Sequence, residues 1–284
     1  MTDVVDQTAG VVLAGGRSSR MGSSKAALEW HGSTLLRRTV SVVARAVDGP
    51  VVVVGASGQP LPTLPSGVEV LTDPREGLGP LQGIAVGLAA VADRADTAFV
   101  SSTDLPFLHP AFVRAVLGAL TSAADVALPV AHGFQQPLAA AYRTALAPTV
   151  AALVAGERLR PAFLFQECRV LRLDEAALLD DPEVAALDPQ LDSVVNVNEV
   201  QDYEAARSRK LPEVTVRSLG PLAGPQGTGH GIVRAATLAQ AADLVDLSLD
   251  RRVLVAVNGQ LVDGDAEFAL TRGDSVVFGP AGEG

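Results

Sequence analysis

From Val11 to Lys25 the chain reads VVLAGGRSSRMGSSK: an apolar run breaks at Gly15-Gly16, passes Arg17 and Arg20, breaks again at Gly22 and closes on Lys25. The run Val11 to Ala14 reads as a buried parallel strand, and helical periodicity resumes at Leu35. A strand feeding a glycine-rich loop feeding a helix offers backbone N–H groups to an anion, and glycines let it approach closely. Arg17, Arg20 and Lys25 bring positive charge to the same place. The spacing is neither a Gly-Lys-Ser/Thr phosphate loop nor a G-x-G-x-x-G dinucleotide fingerprint. An ordinary strand-to-helix connection with surface arginines is the competing reading. Composition tilts against it, because only Lys25 and Lys210 are lysines among 22 basic residues. A compact, mobile ammonium suits a triphosphate whose charge shifts during reaction.

Two carboxylates have the same standing. Asp104, in Ser102-Thr103-Asp104-Leu105-Pro106-Phe107, follows an apolar strand at Thr97 to Ser101. A strand-end carboxylate beside a phosphate loop suits a hard divalent cation, which takes one or two carboxylates plus phosphate oxygens. It also suits the turn ahead of a helix from His109 to Leu120. Asp73, before Pro74 and after a strand at Val68 to Leu71, carries the same ambiguity. Further on, Ser193 to Asn198 reads as a short strand projecting Asn196 and Asn198 to one side. Those amides suit either a metal or phosphate site or the backbone groups of a loop.

The elements that must hold these groups alternate along the chain. Helices read at Thr34 to Val47, Gln82 to Ala92, Thr144 to Ala155 and Pro161 to Glu167, with further strands at Val51 to Val54 and Asp125 to Val130. That alternation predicts a Rossmann-like, open, mostly parallel sheet with helices on both faces. Ligands bind such sheets beyond the carboxyl ends of the strands, where the glycine loop, Asp73 and Asp104 fall. After the basic joint Arg207 to Pro212, strands at Glu213 to Arg217, Val253 to Val257 and Ser275 to Phe278 surround a helix at Thr237 to Leu247. The expected division is therefore 1–210 for the α/β domain and 213–284 for a small α+β module.

With 284 residues, 48% hydrophobic and 19% charged, the chain has the make-up of a globular protein. A net charge of −10 argues against nucleic-acid binding, so an anionic ligand needs local positive features. The single cysteine, Cys168, rules out a disulfide framework and reads as a buried, inert thiol. His31, His109, His132 and His230 lack ligand spacing and read as structural or surface residues. The N-terminus has no signal-peptide character, and the apolar segment Pro137 to Gly156 is interrupted by Arg143 and Pro148. The expectation is a cytoplasmic protein without membrane contact.

The ordered set Leu13-Ala14-Gly15-Gly16-x-Ser18-x-Arg20-Met21-Gly22-x-x-Lys25, Gly32-x-x-Leu35-Leu36, Asp73, Gly79-Pro80-Leu81-x-Gly83-Ile84, Asp104-x-Pro106-Phe107-Leu108, Gln136-Pro137-Leu138 and Asn196-x-Asn198 resembles the molybdenum cofactor nucleotidyltransferases, especially the guanylyltransferase branch. The resemblance covers most of residues 9 to 207. It implies GTP and molybdopterin as substrates, Mg²⁺ as cofactor, and a guanine dinucleotide and pyrophosphate as products. It further implies that Leu13, Ala14, Gly15 and Gly16 touch the nucleotide, Lys25 its phosphates, Asp73 the nucleoside and Asp104 both nucleotide and Mg²⁺. Asn198 joins Asp104 as a metal ligand; Gln136, Asn196 and Arg160 are candidate pterin contacts. The pterin's phosphate is already an ionised nucleophile, so Lys25, Arg20, Asp104 with Mg²⁺ and the N–H groups of Gly15 and Gly16 would act by alignment and charge neutralisation. The family's asparagine after the second strand is missing from Val54-Gly55-Ala56-Ser57.

From Val214 to Gly284, Val255-x-Val257-Asn258-Gly259, Gly273-Asp274-x-Val276 and the tail Gly279 to Gly284 resemble the sulfur-carrier subunit of molybdopterin synthase. This implies a β-grasp (ubiquitin-like) module and partners among molybdenum cofactor biosynthesis proteins or molybdoenzymes. Such carriers end in Gly-Gly, so that the tail can thread into a partner; here Glu283 is penultimate and would obstruct that threading. A cytidylyl- or sugar-nucleotide transferase, or a cofactor-binding scaffold, are the alternative functions.

Overall fold

A computed structural model describes residues 7–15, 25–75, 77–223 and 230–281. The chain forms two compact units: Met1–Leu28 with Leu35–Tyr203, and Glu29–Thr34 with Glu204–Gly284.

In chain order the elements up to the second unit's main stretch are β1 (Thr8–Leu13), the hairpin strands β2 (Glu29–Trp30) and β3 (Ser33–Thr34), α1 (Leu35–Ala44), β4 (Val51–Ala56), β5 (Glu69–Asp73), α2 (Pro80–Val91), β6 (Thr97–Ser102) and α3 (Pro110–Gly118). Then come β7 (Val126–Ala131), β8 (Phe134–Gln135), β9 (Ala139–Arg143), α4 (Ala147–Ala155), α5 (Pro161–Glu167), β10 (Val170–Leu173), α6 (Glu175–Leu179), α7 (Pro182–Leu187) and α8 (Val200–Arg207). The first unit's sheet has the order β10-β7-β9-β6-β1-β4-β5, with β8 paired to β7. All its pairings are parallel except those of β9 with β6 and β7 and of β8 with β7.

The central strands are apolar almost throughout because both faces are covered. On one face α2 and α4 bring Leu81, Ile84, Leu88, Val150 and Leu153 against Val11, Leu13, Val52 and Val54. The fit is tight: a Cβ on Gly87 of α2 would lie 2.2 Å from Val11 Cγ1. Gly10, the next residue along β1, points the other way, where a Cβ would meet Val43 of α1 at 2.4 Å. Helices thus cover both faces, as the alternation predicts.

Two expectations need correction. The segment Ser193 to Asn198 is not a strand: Asp192–Val194 form a 3-10 turn and 195–198 run extended without joining a sheet. The helix expected to reach Leu247 is α9 (Leu238–Asp243), after β11 (Glu213–Ser218) and β12 (His230–Arg234). It ends early because Asp246 takes a φ of 56° and the Leu247 N–H turns back to the Ala242 carbonyl at 3.0 Å.

The second unit continues with β13 (Val253–Val257), β14 (Gln260–Val262) and β15 (Ser275–Pro280), in the sheet order β12-β11-β15-β13-β14. The pair β11–β15 is parallel and the others antiparallel. Val214, Val216, Val255, Val257, Val276 and Phe278 alternate onto the face covered by Leu238, Ala241 and Ala242 of α9. The β13–β14 turn at Asn258-Gly259 has positive φ at both residues, as a two-residue hairpin requires. The β2–β3 hairpin also packs in this unit, through Ser33 Oγ to Glu267 Oε2 at 3.0 Å and Gln240 Nε2 to the His31 carbonyl at 3.0 Å. The tail 282–284 lies outside the described residues. No helix among the described residues is long and apolar enough to cross a membrane.

Candidate active site at the carboxyl edge of the first sheet

Register fixes the meeting point. Leu13 of β1 pairs with Ser102 of β6 and with Val54 of β4, so Gly15 and Asp104 each stand two residues beyond the paired level on adjacent parallel strands. Lys25, on the 3-10 turn Lys25–Ala27, reaches this edge. Its Nζ donates to Asp104 Oδ2 at 3.2 Å and to Asn198 Oδ1 at 3.0 Å. The Lys25 and Asp104 side chains are 22% and 20% exposed, which leaves them reachable by a ligand while partly shielded from water.

Each partner is held from behind. Ser102 Oγ donates to Asp104 Oδ1, and the Asp104 carbonyl accepts the Val197 N–H at 2.9 Å. Arg38, buried on α1, donates from Nε to the Pro106 carbonyl at 2.7 Å and fixes the turn after Asp104. Asn198 is set by Asp202, whose Oδ2 accepts the N–H groups of Asn198 and Glu199 at 3.1 and 3.0 Å. That back-bond from the first turn of α8 is half of a capping box. On the β4 side, Gln59 Nε2 donates to the Ala14 carbonyl and Gln59 Oε1 accepts the Ala56 N–H, both at 2.9 Å.

The extended segment carrying Asn198 is anchored upstream by a buried carboxylate. Asp188 Oδ1 accepts the Asp192 N–H at 2.7 Å and Oδ2 the Ser193 N–H at 3.2 Å. Ser193 Oγ in turn accepts the His109 N–H at 3.0 Å. Burial pushes the Asp188 carboxyl up to about 6 against the hydrogen bonds from Ser193 and Asp192 that pull it down.

The remaining expected site residues are placed as follows. Leu13 and Ala14 are buried at the end of β1. The Gly15 N–H donates to the Val54 carbonyl at 3.2 Å, so the phosphate-binding amide expected there is engaged in the sheet. Gly16 and Arg20 lie outside the described residues. Asp73 ends β5, and its Oδ1 accepts the Arg75 N–H at 2.9 Å, a turn-forming bond. Gln136 Nε2 donates to the carbonyls of Ala131 and Phe134 at 3.3 and 3.4 Å. Arg160 and Asn196 are exposed. Among the described residues no hydrogen bond joins Asp73, Gln136, Arg160 or Asn196 to the Lys25 cluster. His109 caps α3, its Nδ1 accepting the Ala111 N–H at 3.1 Å. Cys168 is half-buried, its thiol pushed up to about 11 by burial and then by the Asp125 charge.

Sequence reasoning did not single out Ser102, Arg38, Gln59, Asp188 or Asp202 for this edge. Asp202, in the first turn of a helix that follows an Asn-Glu pair, carried a usable capping signal. Gln59 and Arg38 carried none, since they reach the Ala14 and Pro106 carbonyls across 45 and 68 positions.

Residues 10–170 match the family described as MobA-like NTP transferase domain. A Mycobacterium tuberculosis (strain H37Rv) protein named "Probable molybdenum cofactor guanylyltransferase" is 41% identical over 186 residues, which span 63% of this chain and 90% of the relative. A Mycobacterium marinum protein of the same name is 46% identical over 155 residues, spanning 53% and 75%. Two solved structures share the fold. Molybdopterin-guanine dinucleotide biosynthesis protein A from Archaeoglobus fulgidus has a TM-score of 0.55 at 20% identity, over 70% of this chain and 96% of that one. A Methanothermobacter nucleotidyl transferase has a TM-score of 0.52 at 20% identity, over 71% and 96%. Edge geometry and sequence relationship agree: the chain belongs to the family of MobA-like NTP transferase domains and is a nucleotidyltransferase.

Proposed function

We propose that the chain transfers GMP from GTP to the terminal phosphate of molybdopterin, giving molybdopterin guanine dinucleotide and pyrophosphate. The observation that carries this reading is the convergence of Asp104 Oδ2 and Asn198 Oδ1 on the Lys25 ammonium, at the edge where β1 and β6 end. The name shared by relatives at 41% and 46% identity supports the choice of substrates.

The donor set fits a magnesium ion. A carboxylate and an amide oxygen already converge on one cation, the ammonium of Lys25, and both are hard oxygens. Among the described residues no group of three or more His, Cys, Asp or Glu is placed to hold a metal. Asp104 and Asn198 would hold Mg²⁺ with triphosphate oxygens and water completing its shell, since Mg²⁺ is usually bound by one or two carboxylates and substrate phosphates. Mg²⁺ bound there would offset charge on the α-phosphate and the leaving pyrophosphate.

The reaction forms a bond from a pterin phosphate oxygen to the α-phosphorus and breaks the bond to the pyrophosphate. The attacking oxygen is already ionised, so the chain need supply no strong base. In this reading Lys25 turns from Asp104 and Asn198 to the triphosphate and neutralises the leaving group. Asp104, fixed by Ser102 and Val197, and Asn198, fixed by Asp202, keep their positions meanwhile. Leu13, Ala14 and Gly15 meet the nucleotide through the backbone at the end of β1, which Gln59 fixes at the Ala14 carbonyl. Asp73 takes the nucleoside, while Gly16 and Arg20 complete the phosphate loop.

We also propose that the second unit is a β-grasp module like the sulfur carriers. The β12-β11-β15-β13-β14 order, with its parallel pair β11–β15 and α9 on one face, supports that reading. It would dock molybdenum cofactor biosynthesis proteins or molybdoenzymes.

The deciding experiment incubates the full chain with molybdopterin, Mg²⁺ and each of the four ribonucleoside triphosphates, then measures pyrophosphate and identifies the dinucleotide. GTP is expected to yield the guanine dinucleotide. Absence of pyrophosphate with every triphosphate, or a product carrying another base, would overturn the assignment.

A further inference from the structure

Past the end of β7 the chain makes a two-residue turn, His132-Gly133, with φ of 52° and 80°, and returns as β8. The turn, with its non-glycine residue in a left-handed conformation, is held by four contacts. The His132 N–H donates to Glu175 Oε1 at 2.7 Å, the His132 ring contacts the Leu191 carbonyl through Nε2 at 3.2 Å, and Gln136 Nε2 donates to the carbonyls on either side of the turn. What this pinned hairpin presents is Phe134, 72% exposed. Pinning fixes the backbone that carries Phe134, so only the side chain's own torsions remain to be ordered when a ligand covers the ring.

Register places the hairpin residue Phe134 at the level of the candidate active site. Ser101 pairs with Ala139, and continuing the β7–β9 register carries Pro129 level with Ala139. Ala131, the partner of Phe134, stands two residues past that level, and Asp104 three residues past Ser101. Strands β6, β9 and β7 are consecutive, so β7 ends roughly 10 Å along the edge from β6 at a spacing of about 4.8 Å per strand. The segment from Leu191 to Val197 bridges the two places, bonded to His132 at one end and to the Asp104 carbonyl at the other. Asn196, exposed, lies on that bridge.

We propose that Phe134 is the stacking platform for the acceptor's planar, fused-ring heteroaromatic group, with the acceptor's phosphate toward the Lys25 end of the edge and its ring on the β7–β8 hairpin. This rests on the acceptor assignment made under the proposed function. Gln136 then serves as a positioning residue that holds the hairpin, and Asn196 supplies the amide beside the ring. A bicyclic or tricyclic pterin has the flat π-face that an exposed phenylalanine can cover.

The test uses the full chain with freshly released molybdopterin. Phe134→Ala is expected to raise the KM for molybdopterin about tenfold and leave the KM for GTP within about twofold, while Phe134→Tyr stays near wild type. Phe134→Trp gives a readout free of turnover. Trp30, the chain's one tryptophan, is buried, so molybdopterin added without GTP should quench a new emission from position 134. An unchanged acceptor KM in Phe134→Ala would overturn the proposal, as would a parallel rise in the KM for GTP. So would a change in sedimenting mass with intact kinetics, which would make Phe134 a contact between copies. Wild-type protein that transfers nothing to molybdopterin would instead refute the acceptor assignment, and the quenching experiment would still decide the role of Phe134.

Discussion

On the β1–β4–β5 flank of the sheet edge the strands run parallel and end in closely tied backbone: Gln59 joins the Ala14 carbonyl to the Ala56 N–H, Gly15 is exposed, and Asp73 closes a turn on the Arg75 N–H. On the β6–β9–β7 flank an antiparallel strand separates two parallel ones, and a segment from far along the chain brings Asn198 to Lys25 beside Asp104. Lys25 stands at the junction, bonded to both Asp104 and Asn198. The contrast teaches a division of labour. A flank built of close-set backbone suits the part of a substrate recognised by shape and N–H or C=O groups. A flank built of side chains from separate segments suits an acceptor, and can change without disturbing the other.

The largest expected effect falls at the junction, where both flanks are needed. Lys25→Ala and Asp104→Ala should each lower turnover at least about 100-fold, the scale on which removed electrostatic groups act in transition states. Their melting temperatures should stay close to wild type, because a part-exposed ion pair contributes about 1 kcal/mol or less to stability. A near-normal rate in either variant would break the proposed mechanism.

Next in size is a pH effect confined to the second flank. The folded-state pKa of Asp188, pushed up to about 6, lies above its ordinary value of 3.8, so the folded protein binds this proton more tightly than the unfolded chain. The stability so gained is full below pH 4 and is lost as pH rises through about 6. By linkage it amounts to about 2–3 kcal/mol. Denaturation midpoints for wild type and Asp188→Asn, measured between pH 4 and 7, should differ by an amount that changes with pH in that sense. A pH-independent difference would mean that the carboxyl is solvated and the anchor loose.

The two flanks were also unequally legible. Everything on the first is local: an apolar run, a Gly-Gly break and Lys25 lie within fifteen residues, and strand-to-helix alternation places their edge. Asp104 was legible for the same reason, as the end of a continuous apolar strand. On the second flank the alanine-rich β9 carries no strand signal of its own, because alanine favours helices and only burial between β6 and β7 makes it a strand. Asn196 and Asn198 stand out by their period-two spacing, which reads as a strand. In the structure Asn198 reaches Lys25 across 173 positions, because Asp188, Ser193 and Asp202 fix an otherwise irregular segment. Bonds of such separation leave no pattern in one sequence.

Gln59 offers the finest test of the comparison. The family asparagine expected after β4 is missing, and the amide that structure shows there belongs to Gln59, with its oxygen on the Ala56 N–H and its nitrogen on the Ala14 carbonyl. Both amide atoms are engaged with backbone, so Gln59 sets the spacing between the ends of β1 and β4. Gln59→Leu keeps the bulk and leaves the Ala14 carbonyl and Ala56 N–H unsatisfied, a loss of about 1 kcal/mol for a typical bond of this kind. The expected outcome is a rise of about fivefold in the KM for GTP, with the KM for molybdopterin and the maximal rate unchanged. Titration of the Phe134→Ala, Gln59→Leu double variant then asks whether the flanks are separate: additive losses in free energy mean they are, since sites without shared partners add. Strong coupling between the two would mean that the edge works as one continuous site, with Lys25 transmitting each change to the other side.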